Sequence, residues 1–190
     1  SLEEFSNVRR SGLIAITLGE GDDLIWVKPS SGKDDISLVT KEGQSIRFSE
    51  ADVRPMGRAA AGVRGIKLHD KDAVIAMDVI NPALADKGKL QLFVVTKNGL
   101  GKRTSLVEYK TQGRGGSGIR TARVTDKTGG VVGAFISSSD DERDIILISK
   151  KGIAIRTPFN SVPTLGRDTQ GVRVMRFKEE GDSLSTVTFV

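Results

Sequence analysis

Three stretches of this sequence repeat one arrangement of glycine and arginine: Gly57-Arg58-Ala59-Ala60-Ala61-Gly62-Val63-Arg64, Gly113-Arg114-Gly115-Gly116-Ser117-Gly118-Ile119-Arg120 and Gly166-Arg167-Asp168-Thr169-Gln170-Gly171-Val172-Arg173. They lie 56 and then 53 residues apart. Arginine is well matched to phosphate, because its planar guanidinium offers a fork of donors and stays charged at physiological pH. Glycine permits positive φ or the close approach of another surface. Gly-Arg-x3-Gly-[Val/Ile]-Arg therefore describes a corner of chain that presents positive charge, three times over.

Aligning the repeats on these corners gives five columns that are basic in every copy: Lys41/Lys97/Lys150, Arg47/Arg103/Arg156, Arg58/Arg114/Arg167, Arg64/Arg120/Arg173 and Lys67/Arg123/Arg176. Equivalent positions in repeated units fall on equivalent surfaces, so the columns predict a basic belt that follows a nucleic-acid backbone. The belt matters because the overall excess, 29 Lys and Arg against 24 Asp and Glu, is modest; it favours a polyanion only if gathered on one surface. Duplex DNA is the expected partner. Aromatic residues are only 5% of the chain and form no platform for stacking single-stranded bases, whereas a bent duplex is held through its phosphates and its deformability. Neutralising about ten phosphates would make log affinity fall with log salt at a slope of about −9. A repeat scaffold that binds protein through its rim or loops is the alternative from another class, and it would give a shallow slope.

No residue set points to catalysis. The chain has no cysteine, which removes disulfides, thiolate zinc sites and cysteine nucleophiles together. His69, the single histidine, sits in the turn Lys67-Leu68-His69-Asp70-Lys71-Asp72, where a solvated loop residue is expected. The pairs Asp22-Asp23, Asp34-Asp35 and Asp140-Asp141 fall in turns and do not recur at matching repeat positions as metal ligands would. Tyr109 shares its column with Val53 and Val162 and reads as a packed aromatic, and Trp26 stands in an apolar run. The glycines of Gly113–Gly118 lack the Gly-Lys-[Ser/Thr] ending of a phosphate loop. No metal or cofactor is expected. No apolar run approaches the roughly 20 residues that span a bilayer, so no membrane contact and a cytoplasmic location are expected.

The elements that would carry the corners are strands. Leu24-Ile25-Trp26-Val27 follows a turn and resembles Asp72–Met77, Gly130–Phe135 and Asp182–Val187, predicting one strand per repeat. Variable loops follow at Pro29–Lys33, Asn81–Lys87 and Ser137–Glu142. A second strand ends in Lys-x-Gly at Gly43, Gly99 and Gly152, a hairpin signal, with a third strand around Arg47, Arg103 and Arg156. A fourth fits Val63–Leu68, Ile119–Val124 and Val172–Phe177. Four short strands per unit, with no amphipathic helix, predict an all-β, propeller-like fold; an ungapped register from Ile36 to Leu68 in all three copies argues against a sandwich with coincidental spacing. The units run over residues 1–18 (partial), 19–68, 69–124, 125–177 and 178–190. Residues 1–18 can be laid on residues 105–124, with Phe5 meeting Tyr109 and Gly12 meeting Gly118. The chain begins at Ser1 without Met and in mid-repeat, so a fragment is expected.

Thr40-Lys41-Glu42-Gly43 with Arg47, Met56-Gly57-Arg58, Gly62-Val63-Arg64-Gly65-Ile66-Lys67-Leu68 and Gly166-Arg167-Asp168-Thr169-Gln170-Gly171-Val172 closely resemble the C-terminal domain of the DNA gyrase A subunit. The resemblance spans essentially the whole chain. It implies a β-pinwheel, about three and a half of whose blades are present here, with duplex DNA bent around the basic rim. It also implies chiral wrapping that serves ATP-dependent negative supercoiling, with the gyrase B subunit, plus the rest of the gyrase A subunit, for partners. Strand breakage would belong to a tyrosine in the N-terminal region of the A subunit, so Tyr109 inherits no catalytic role and the fragment is not itself an enzyme. Gln112-Gly113-Arg114-Gly115-Gly116-Ser117-Gly118 matches five of seven places of the family's Gln-[Arg/Lys]-Arg-Gly-Gly-[Arg/Lys]-Gly box, but lacks two of its basic residues and precedes only one further repeat. It is taken as a decayed relative of that box. The corresponding domain of topoisomerase IV, with a less regular propeller, is the alternative within the family.

Overall fold

The apolar runs ahead of each Lys-x-Gly form hairpins in the computed structural model, which describes residues 1–190. The first pairs β1 (Asp35–Thr40) with β2 (Gln44–Ser49), and β3 (Val74–Ile80) adds to the other side of β1. The second pairs β4 (Leu90–Thr96) with β5 (Leu100–Ser105); the chain leaves as the two-residue β6 (Ile119–Arg120) and returns to β4 as β7 (Val131–Ser138). The third pairs β8 (Asp144–Ser149) with β9 (Ala154–Pro158), leaves as β10 (Val172–Arg173) and returns to β8 as β11 (Leu184–Phe189). β6 and β10 do not stay with their own hairpins. β6 pairs with β2 and β10 with β5, so each corner becomes the last strand of the preceding sheet. The result is three antiparallel sheets ordered β3-β1-β2-β6, β7-β4-β5-β10 and β11-β8-β9.

This exchange changes three expectations. The sheets run out of phase with units 19–68, 69–124 and 125–177, because β3, β7 and β11 complete the hairpin before them in sequence. Leu24–Val27 forms no strand: its counterparts pair with a hairpin that precedes them, and no hairpin precedes residue 24 in this chain. Ile25 and Val27 are accordingly 62% and 81% exposed. The fourth strand is two residues long at β6 and β10 and absent over residues 63–68. Its brevity has a cause in the hairpin tip. The Gly43 carbonyl accepts from both Thr121 N–H and Ala122 N–H (2.8 and 3.2 Å), and the Gly99 carbonyl from Val174 and Met175 (2.8 and 3.1 Å), so the chain curls over the tip and leaves the ladder. Of the variable loops, Asn81–Lys87 holds a single helical turn, Pro82–Asp86, capped by the Asn81 carboxamide.

β7 lies beside β3 on one side and β11 on the other, and these three are the innermost strands. With Trp26 and Lys28 they line a central cavity of about 310 Å³, called the channel below. β4 is buried on both faces: Leu92 and Val94 pack toward the first sheet with Val39, Ala76 and Tyr109, while Phe93 and Val95 pack toward the third with Ile145, Leu147 and Phe159. Such a strand reads as continuous apolar sequence rather than as an alternation. Innermost and outermost positions are thereby fixed, and the corners lie on the outside.

The second glycine of each corner, and its counterpart Gly12, has φ between 72 and 83°. A Cβ at Gly171 would stand 2.6 Å from the Gly101 carbonyl oxygen, and one at Gly118 would collide with that of Ser45, whereas Gly62 has no atom within 4 Å. Gly62→Ala is expected to cost about 1 kcal/mol, the left-handed backbone penalty alone. Gly118→Ala adds a backbone collision and should cost about 3 kcal/mol. Urea unfolding of the two variants measures the difference.

Candidate nucleic-acid interface

Each of the three corners enters through a one-turn 3-10 helix (Glu50–Asp52, Leu106–Glu108, Phe159–Ser161) and reaches Gly-Arg; the second and third then cross the outer edge of the preceding sheet, and residues 1–18 begin with a similar turn at Leu2–Phe5. Tyr109 seats the second corner. Its ring is buried, its hydroxyl lies 2.6 Å from Thr121 Oγ1, and burial pushes its ionisation up to about 12.

The five basic columns occupy different places. Arg120 and Arg173 lie in β6 and β10, the outermost strands of their sheets, and Arg64 holds the same position in the first corner, which joins no sheet; Lys67, Arg123 and Arg176 follow three residues later, and all six are exposed. They form the charged outer edge. Arg58, Arg114 and Arg167 are half-buried and tie the corners together. Arg58 donates to the Ile14 carbonyl (3.3 Å), Arg114 to that of Arg64 (2.5 Å) and Arg167 to that of Arg120. In each case the acceptor is the carbonyl at the second-arginine position of the preceding corner. Lys41, Lys97 and Lys150 are exposed at the hairpin tips and make no ion pair, but they belong to another surface. Lys41 and Lys97 line a depression of about 300 Å³ with Ile75, Val131 and Val132, at the ends of the channel strands.

The Arg47/Arg103/Arg156 column corrects the sequence expectation of a surface belt. Arg47 is buried: its Nε donates to Asp35 Oδ2 (2.7 Å), its Nη1 to the Tyr109 carbonyl (3.3 Å) and its Nη2 to Asp86 (3.3 Å). Arg103 is also buried, donating to the Val162 and Asn160 carbonyls (2.7 and 3.0 Å) and lying 5.1 Å from the centre of the Phe159 ring. In both, the next corner covers a guanidinium that the sequence places on an edge strand. Arg156 has no corner over it; it stays exposed and pairs with Asp144 (2.6 Å).

The box-like segment has a packing role. Gln112 N–H donates to the Arg47 carbonyl (2.7 Å), Gly115 N–H to that of Gly65 (2.8 Å), and the Gly116 carbonyl accepts from Lys67 N–H (2.9 Å). Gly113 and Ser117 are exposed, and Gly118 makes the close approach described above. These glycines let the segment lie flat on the sheet edge.

Two residues escaped the sequence reading. Lys102 stands in a column otherwise filled by Ile46 and Ile155, and this charge in an apolar column was the one visible signal. It is buried, donating to the carbonyls of Gly166 (2.7 Å) and Arg167 and to Thr169 Oγ1 (3.0 Å), and burial lowers its pKa to about 8. Asp168, at the position of Ala59 and Gly115, faces Arg120 and Arg123. His69, Asp22, Asp23 and Asp70 are exposed, and no cluster of potential metal ligands is present. No helix is long and apolar enough to cross a membrane.

Comparison with known proteins places this architecture. The family described as DNA gyrase C-terminal domain, β-propeller, matches residues 1–31, 34–81, 91–138 and 143–190; its last three matches begin within a residue of β1, β4 and β8. The chain is 40% identical to the DNA gyrase A subunit of Staphylococcus epidermidis over 190 residues and 42% identical to that of Mycolicibacterium smegmatis over 188. That is 100% and 98% of this chain but only 20% and 21% of those proteins, so the chain spans about a fifth of their length. Among solved structures, a DNA gyrase A C-terminal domain matches with a TM-score of 0.76 at 27% identity, covering 95% of this chain and 58% of that one. A topoisomerase IV C-terminal domain matches with a TM-score of 0.86 at 24% identity, covering 100% and 57%, which is a likeness of fold. The repeated sheets, the corner motifs and the family match agree: this chain belongs to the DNA gyrase C-terminal domain, β-propeller, family.

Proposed function

We propose that the outer edge of this domain binds duplex DNA and bends it into a chiral wrap, as a non-catalytic part of the DNA gyrase A subunit. The observation that carries this reading is the placement of Arg64, Lys67, Arg120, Arg123, Arg173 and Arg176, all exposed, at equivalent positions of successive repeats, with Arg120 and Arg173 in the outermost strands of their sheets. A duplex following that edge meets guanidinium and ammonium groups at regular steps, and phosphate contacts of this kind set affinity and register without reading sequence. The half-buried Arg58, Arg114 and Arg167 hold the corner backbones in order and leave the exposed residues to face the DNA. In the whole enzyme the wrap would serve ATP-dependent negative supercoiling in the cytoplasm, with the gyrase B subunit, plus the rest of the gyrase A subunit, for partners; cleavage and ATP hydrolysis would lie outside these 190 residues.

With six exposed edge cations rather than fifteen, about six phosphates are neutralised. The slope of log affinity against log salt for duplex DNA is then expected between about −4 and −5, the steeper value applying when all six are engaged. A slope near zero would remove the DNA reading in favour of a protein-binding scaffold. Closing nicked circles with ligase in the presence of the domain reports chirality. A shift in linking number is expected, and binding without a shift would reduce the proposal to bending alone.

A further inference from the structure

The corners are not electrostatically equivalent. Where the second corner crosses the first sheet, Gly115 lies over Arg64, and neither Arg64 nor Lys67 makes an ion pair, in contrast to Arg120 and Arg123. Where the third crosses the second sheet, the equivalent residue is Asp168. Its carboxylate stands 3.4 and 3.5 Å from Arg120 Nη1 through its two oxygens and 3.6 Å from Arg123 Nε. One guanidinium nitrogen thus faces both oxygens of an anion, while a second arginine reaches the same group. The two guanidinium groups converge on one anionic group, as they could on a phosphate oxygen.

The turn that carries the acid is held from beneath. Lys102 Nζ donates to the Gly166 and Arg167 carbonyls and to Thr169 Oγ1, and Thr169 Oγ1 donates to the Gly166 carbonyl (2.9 Å). Arg167 N–H is held by Glu108 (2.9 Å), and the Thr169 carbonyl accepts from Arg123 N–H (3.2 Å). Lys102 and Asp168 are each unique to their column, so the acid and its anchor occur together in one corner only. Desolvation opposes ionisation of Asp168, but Arg120 and Arg123 beside it hold its carboxyl below the usual range, so it is charged at neutral pH.

We propose that Asp168 is a built-in competitor for phosphate at Arg120 and Arg123, which makes this junction the last part of the outer edge to engage duplex DNA. The inference rests on the DNA-binding reading given above. DNA must displace the carboxylate before it gains these two arginines, whereas Arg64 and Lys67 are available from the start. The domain therefore holds a duplex first across the Arg64 junction, and the Arg120 junction engages after it.

The test is a titration of a fluorescent duplex with the 190-residue chain, its D168N variant and a D23N variant, across about 50 to 200 mM salt. Asp23 is exposed and unpaired, so D23N makes the same change of net charge away from the junction. D168N is expected to bind about three- to tenfold more tightly, the range set by releasing exposed ion pairs. Its salt slope should steepen by about one, because one more phosphate is neutralised. An equal gain in D23N would overturn the proposal, since only net charge would then matter. Unchanged affinity and slope in D168N, while the parent chain still binds with a steep slope, would overturn it and leave the DNA-binding reading standing. A parent chain with a shallow slope would overturn both.

Discussion

Replacing Arg64, Arg120 and Arg173 together by glutamate is expected to lower duplex affinity by about a thousandfold at moderate salt. All three side chains are exposed: Arg64 makes no ion pair, Arg173 makes a single 3.4 Å contact to the Asn98 carbonyl, and Arg120 gains a phosphate once Asp168 gives way. A charge-assisted hydrogen bond contributes about 1.5 kcal/mol or more, so losing three gives roughly three decades before repulsion is added. The salt slope should fall from about −5 to about −3, as three of six neutralised phosphates are lost. Folding should be little affected, because exposed substitutions change stability by about 0.5 kcal/mol or less. The informative comparison is the same reversal at Lys41, Lys97 and Lys150. Those lysines belong to an equally regular column but stand on the hairpin tips, with Lys41 and Lys97 beside the channel. Their reversal should weaken binding less than tenfold, through the long-range field alone. Equal losses in the two triples, measured by anisotropy titration, would show that net charge rather than the outer edge determines binding.

Much of this arrangement was legible in the sequence because a repeat reports equivalence without reporting place. The Lys-x-Gly hairpins, the strand runs and the glycine-arginine corners stand in register in the alignment, and all three hairpins form where their turn residues put them. Five basic columns were equally plain, yet they divide among an exposed outer edge, a half-buried tie between corners, a channel mouth and a buried latch. What separates them is which strand exchanges into the preceding sheet, and that pairing leaves no mark on local residue choice. Arg47 and Arg103 look like edge charges because they are edge charges until Tyr109 and Val162 arrive from the next repeat. Leu24–Val27 has the composition of a strand but no ladder partner ahead of it in this chain, and composition cannot supply one. Lys102 was the visible exception, a charge among isoleucines, and its meaning required the carbonyls of a turn more than sixty residues away.

That buried latch carries the largest expected effect on stability. Arg47→Ala should destabilise the domain by about 3–5 kcal/mol, a large share of the 5–15 kcal/mol that typically holds a domain folded. The loss comes less from the attraction removed than from what stays behind. Asp35 is 5% exposed, and without Arg47 its carboxylate would keep only the Thr111 hydroxyl at 3.3 Å; the Tyr109 carbonyl would lose a donor as well. Asp86, the other carboxylate within reach, is 72% exposed and can turn to water. Two comparisons isolate this cause. Replacing both members of the buried pair, Arg47→Met with Asp35→Leu, should recover most of the loss, because well-packed apolar residues leave no stranded charge. Arg156→Ala removes the same arginine from the same column, opposite the equivalent Asp144, but there no corner covers the pair and its side chain is 69% exposed. That pair is screened by water, so the cost should be at most about 1 kcal/mol. Urea unfolding of the single, double and Arg156 variants gives the coupling directly. If Arg47→Ala and Arg156→Ala cost the same, burial by the next corner contributes nothing, and the column would be an ordinary set of surface ion pairs. A large difference would instead mean that each covered arginine fastens one repeat to the next, so that the order of the outer edge, and with it the spacing of Arg64, Arg120 and Arg173, depends on charges that never meet the solvent.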